Sequence, residues 1–121
     1  MDATATHVFA GLPVSNLDEA RRWYERLLGR EPDRLPKPGE AVWQLTETAL
    51  LYVVEDHARA GSGLLTIAVD GLDGHLRELA DRGIPSQSET LENGLRKATV
   101  HDPDGNMIGF FEAPRIDVSA G

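Results

Sequence analysis

In the stretch "RKATVH", Lys97, Thr99 and His101 recur at a spacing of two. On a β-strand that spacing sends all three side chains to one side. An amine and an imidazole sharing a face are the types needed to move a proton, one as acid and the other as base. A slip of one residue would present Arg96, Ala98 and Val100 instead. A second set is chemically quieter. Phe9, Trp43, Tyr52, Leu64, Met107 and Phe111 are large apolar or aromatic residues in strand-like segments, and they suit contact with a flat organic molecule. Such side chains also fill ordinary cores, so their facing decides their role. The remaining titratable groups read as solvated surface: His57 in "EDHARAGSG", His75 in "LDGHLRELA", and the carboxylates of "VVED" and "SETLEN". With no cysteine in the chain, disulfides, thiolate metal sites and cysteine nucleophiles are excluded.

The elements that must position these residues come in a repeated order. "THVFAGLPV" is rich in β-formers and reads as a strand from His7 to Val14. In "SNLDEARRWYERLLGR" the period changes. Asn16 and Glu19 have capping-box spacing, Leu17, Ala20, Tyr24, Leu27 and Leu28 share a helical face, and Gly29 is placed to end the helix. A loop holding Pro32, Pro36, Pro38 and Gly39 follows, and then "AVWQLTETALLYVVED", two apolar runs around a turn, reads as a hairpin. The hairpin carries Trp43 and Tyr52, and its pattern leaves their facing open. From Gly63 the plan restarts: a strand, a turn, a helix with Leu72, Leu76, Leu79 and Ala80 on one face, and Gly83 as its stop. Val14 aligns with Val69, Leu17 with Leu72 and Asp18 with Asp73, each 55 residues apart. The spacing predicts helices at 16–28 and 73–82. "GLRKATVHDPDGNMIGFFEA" closes the second unit as a hairpin turning at "DPDGN", and "PRIDVSAG" reads as a loose tail.

A chain of 121 residues with 40% apolar content is the size of one domain. Its net charge of −8 opposes contact with a phosphate backbone and excludes nucleic acid as a partner. The same charge would favour a cationic ligand. "MDATATH" lacks the features of a signal peptide, and no apolar run approaches the roughly 20 residues that cross a bilayer, so a cytoplasmic protein without a membrane partner is expected.

With "GLPVSNLDEARRWYERLLG" at its start and "DPDGNMIGFFE" at its end, the chain resembles the vicinal oxygen chelate superfamily, the glyoxalase and bleomycin-resistance class, from His7 to Ala113. The resemblance implies an α+β fold: two βαβββ modules forming a cupped mixed sheet, helices on the convex side and a ligand cleft in the concavity. It implies one domain over 1–121, with module one at 6–56, module two at 62–113 and the tail at 114–121. It also implies a homodimer.

Metal-binding members place a His on the first strand, a second ligand on the matching strand of module two, and a Glu on the strand after DPDG. In that register the positions fall on Phe9, on Leu64 or, one period earlier, Ser62, and on Gly109. None is a useful ligand for a divalent ion. Alternation would place Phe9, Gly11, Leu64, Thr66, Met107, Gly109 and Phe111 in the concavity, and Val8, Ala10, Leu12, Ile67, Val69, Ile108 and Phe110 beneath the helices. The reading this supports is a metal-free, cofactor-free protein that binds an aromatic or cationic compound, with Phe9, Trp43, Tyr52, Leu64, Thr99, Met107 and Phe111 as ligand contacts. The competing reading is an enzyme of the glyoxalase, lyase or dioxygenase type with non-standard residues. It would use either Lys97 and His101 as acid and base or a metal held by His7, His101 and Glu112.

Overall fold

A computed structural model describes residues 4–113, so expectations about the tail at 114–121 fall outside the described residues. The first module runs β1 (Val8–Val14), α1 (Leu17–Leu28), β2 (Arg34–Lys37), β3 (Glu40–Gln44) and β4 (Ala49–Glu55). The second runs β5 (Leu64–Val69), α2 (Leu72–Asp81), β6 (Gln87–Thr90), β7 (Arg96–His101) and β8 (Met107–Glu112). Each module is a four-stranded mixed sheet, ordered β1-β4-β3-β2 and β5-β8-β7-β6. The first strand of each pairs in parallel with the last, and the other pairings are antiparallel. The expected α+β fold of two βαβββ modules is thus present.

Local chemistry explains the element ends. Asn16 caps α1 by accepting from the Glu19 N–H at 3.0 Å, and Gly29 ends it at φ 76°. One carboxylate in each module also closes a helix start: Glu55 accepts from the Leu17 N–H at 3.1 Å, and Glu112 from the Leu72 N–H at 3.2 Å. Both sit at the last residue of their module's final strand, where a negative charge complements the helix dipole. Glu55, expected to be loop charge, is therefore a helix-positioning group. The proline-rich stretch contributes β2, a short strand with Pro36 inside it, at the sheet edge where a missing N–H is tolerated.

One core serves both modules. Leu12, Val14, Tyr24, Trp43, Leu51 and Val53 join Leu72, Leu79, Val100, Ile108 and Phe110 in a continuous buried cluster. Val8, expected beneath the helices, stands 67% exposed at the start of its strand.

The "DPDGN" turn is the clasp between the modules. Asp102 accepts from the Tyr24 hydroxyl at 2.8 Å and from the backbone N–H groups of Asp104 and Asn106. Asp104 accepts from the Ser15 N–H and hydroxyl at 3.0 and 2.6 Å. Buried Asn106 donates to the Pro13 carbonyl and to Asp102, both at 2.7 Å, and accepts from the Gly63 N–H at 2.6 Å. Burial and the Asp102 carboxylate push the Tyr24 hydroxyl well above its ordinary pKa, so it stays a proton donor in this clasp.

Candidate functional site: the face away from the helices

Alternation along the strands separates two faces. On β7, Ala98 and Val100 are buried toward the helix, which puts Lys97, Thr99 and His101 on the other face. The register favoured in the sequence is the one found, and Arg96 instead pairs with Asp73 at the start of α2. Phe9 and Gly11 share the outer face of module one, and Leu64, Thr66, Met107, Gly109 and Phe111 that of module two.

In module one this face forms an open cleft of about 660 Å³. Val42 and Leu50 are buried in its floor, Phe9 and Tyr52 supply aromatic surface, and Arg34 stands on its wall. Tyr52 lies across Gly11: a Cβ there would meet its ring at 2.4 Å. Only glycine at position 11 allows the phenol to lie against the sheet. The loop after β4 closes one end with Asp56 and Arg59, 3.9 Å apart.

Trp43 is not in the cleft. It is wholly buried on the helix side, donates from Nε1 to the Arg30 carbonyl at 3.0 Å, and packs on the Tyr24 ring with centroids 6.0 Å apart. The reason is register: Trp43 pairs with Leu51 and, like it, faces the core, whereas Tyr52 and Val42 face outward together. Ala41, Val42 and Trp43 are consecutive buried residues, so alternation in the sequence could not assign a side.

Module two differs. Leu64 is 73% exposed and Met107 is also exposed. Lys97 extends over Gly109, where a Cβ would lie 2.9 Å from its Cε and 3.7 Å from both Nζ and the Thr66 hydroxyl. His101 pairs with Met107 at the far end of β7. His75, expected at the surface, is partly buried instead: its ring is 4.5 Å from that of Phe110, and its Nε2 is buried without a hydrogen-bond partner. Burial pushes its pKa below the usual histidine value.

Residues 4–110 match the sequence profile of the Glyoxalase/Bleomycin resistance protein/Dioxygenase superfamily. The chain belongs to that superfamily. The similar solved structures include a glyoxalase / bleomycin resistance protein from Catenulispora Acidiphila DSM 44928, 45% identical with a TM-score of 0.84, the match covering 89% of this chain and 98% of that one. A bleomycin-binding protein complexed with bleomycin superposes at TM-score 0.75 with 21% identity, again over 89% and 98% of the two chains, a likeness of fold. Among curated proteins, a trivalent organoarsenical cleaving enzyme from Bacillus sp. (strain MD1) is 28% identical over 87% of this chain and 71% of its own length.

The superfamily's metal does not fit these residues. Phe9 and Leu64 offer carbon, Gly109 offers no side chain, and the cationic Lys97 side chain lies over position 109. Ser62 precedes β5, and its hydroxyl donates to the Arg59 carbonyl at 2.6 Å. The alternative set is dispersed. His7 bonds Thr6 at 3.0 Å just before β1, His101 ends β7, and Glu112 is held at the start of α2. Among the described residues no three His, Asp or Glu side chains converge. Also among them, no helix is long and apolar enough to cross a membrane.

Proposed function

We propose that this protein binds a small aromatic compound on the outer face of module one without a metal and without making or breaking a bond. The observation that carries the reading is a formed cleft, floored by Val42 and Leu50 and faced by Phe9 and Tyr52, in a chain whose metal-ligand positions hold no donor. An apolar concavity with a few polar groups at its edge is the usual form of a small-molecule site. Leu64, Thr99, Met107 and Phe111 lie on the corresponding face of module two. They reach the same ligand where a second copy of the chain faces that surface onto the cleft. Support for a homodimer lies in the large apolar side chains of Phe9 and Leu64, which stand exposed on β1 and β5 where a second copy could cover them.

The organoarsenical cleaving relative favours a second reading, an enzyme working through Lys97 and His101. The two separate in one experiment. Purified protein is assayed for bound metal, treated with chelator, and titrated with aromatic compounds. The binding reading expects no stoichiometric metal, unchanged affinity after chelation and full recovery of the compound. About one metal per chain, or conversion of the compound that Lys97→Met abolishes, overturns it.

A further inference from the structure

The charge of the cleft is not the charge of the chain. Across the chain, Asp and Glu outnumber Lys and Arg by 20 to 12, yet the cleft is lined by three cations, Arg34, Lys37 and Arg59, and two anions, Glu40 and Asp56. Two of the cations have partners: Lys37 is 4.0 Å from Glu40, and Arg59 is 3.9 Å from Asp56. Arg34 has no ion-pair partner among the described residues. It stands on edge strand β2, opposite Val42 in the register, and lines both the cleft and the adjoining depression that holds Thr6, His7 and Gln44.

A guanidinium beside an aromatic and aliphatic floor is suited to an oxyanion carried on a flat apolar body. The ring of such a ligand would lie against Tyr52 and Phe9, and its anion would take two parallel hydrogen bonds from Arg34. A cationic ligand would meet the opposite arrangement, since the cleft carboxylates already neutralise Lys37 and Arg59 and Arg34 would repel it. Module two repeats the sign on the matching face, where Lys97 lies over Gly109.

We infer that the ligand class is an aromatic oxyanion, an aryl carboxylate or its equivalent, held by Arg34 over the Tyr52 platform. This rests on the proposed binding function and narrows it.

Calorimetric titration of the full chain with three probes of one ring system tests it: naphthoate, naphthamide and naphthylmethylammonium. Naphthoate is expected to bind about tenfold more tightly than naphthamide, the scale of one charge-assisted contact, with the ammonium weakest. In Arg34→Gln the ratio of naphthoate to naphthamide affinity should fall to about one, a ratio that loss of folded protein does not alter. Tyr52→Ala should weaken naphthoate and naphthamide together. Equal binding of naphthoate and naphthamide, a preference for the ammonium, or an undiminished ratio in Arg34→Gln would overturn the oxyanion inference and leave the binding function standing. Failure of all three probes to bind would overturn both.

Discussion

The two modules share a backbone plan and diverge on the face that the helices leave free. In module one, Gly11 lets Tyr52 lie flat, Val42 and Leu50 sink into a floor, and the loop at Asp56 closes an end, so the face becomes a cleft. In module two, the residue opposite Thr99 is Gly109, and the space it leaves is taken by Lys97, so the face stays shallow with Leu64 and Met107 exposed. Each module carries a glycine on this face, Gly11 on β1 beneath an aromatic ring and Gly109 on β8 beneath the end of a lysine side chain. One inner feature is repeated, since Glu55 and Glu112 each accept from the first helical N–H of their own module. Repetition is kept at these helix starts and lost on the face proposed to meet a ligand.

The comparison breaks most visibly at Trp43. Because it fills the core rather than the cleft, Trp43→Ala should cost about 4 kcal/mol of stability. Chemical denaturation followed by circular dichroism would show this, while the fraction still folded keeps its affinity for an aromatic probe. A smaller effect is expected at the junction of the modules. Asn106→Ala leaves the half-buried Gly63 N–H without its partner and removes the bonds to Asp102 and to the Pro13 carbonyl, at about 2 kcal/mol. Hydrogen exchange should then show protection lost in both modules rather than in the second alone.

These two sites also show where sequence reading stops. The repeat at 55 residues, the Asn16 cap, the Gly29 terminus and the outward facing of Lys97, Thr99 and His101 were legible, since each follows from a local period or a local backbone need. Trp43 was not, because three consecutive apolar residues carry no alternation. The clasp was not either: "DPDGN" reads as a turn, and its partners Tyr24, Ser15 and Pro13 lie 78 to 93 residues away in the chain. Cleft charge was hidden for a related reason. Net charge sums over the whole surface, and only the fold reveals that Arg34 is set beside Phe9 and Leu50.

The helix starts sharpen the comparison on a smaller scale. Module one has both Asn16 and Glu55 at the start of α1, whereas the Gly71 cap of α2 has no side-chain hydrogen bond and relies on Glu112. Glu112→Ala should therefore destabilise by about 1 kcal/mol and Glu55→Ala by about half that, read as midpoints in urea.

The smallest effect expected belongs to His75. Its folded pKa lies below the unfolded value of about 6.5, so the unfolded chain takes up the proton first. Its contribution is complete above that value and is lost as the pH falls through it toward the lower folded pKa. Melting temperature should decline between about pH 7 and pH 5, and the decline should be shallower in His75→Phe, which keeps the ring against Phe110.

Chemical-shift mapping on isotope-labelled, chelator-treated protein, with naphthamide as the probe, tests the central claim most directly. The account predicts that the resonances of Phe9, Val42, Leu50 and Tyr52 move saturably and that those of Trp43 do not. Shifts confined to Thr66, Lys97 and Thr99, or shifts appearing only after a divalent metal is restored, would contradict a metal-free site in the cleft of module one.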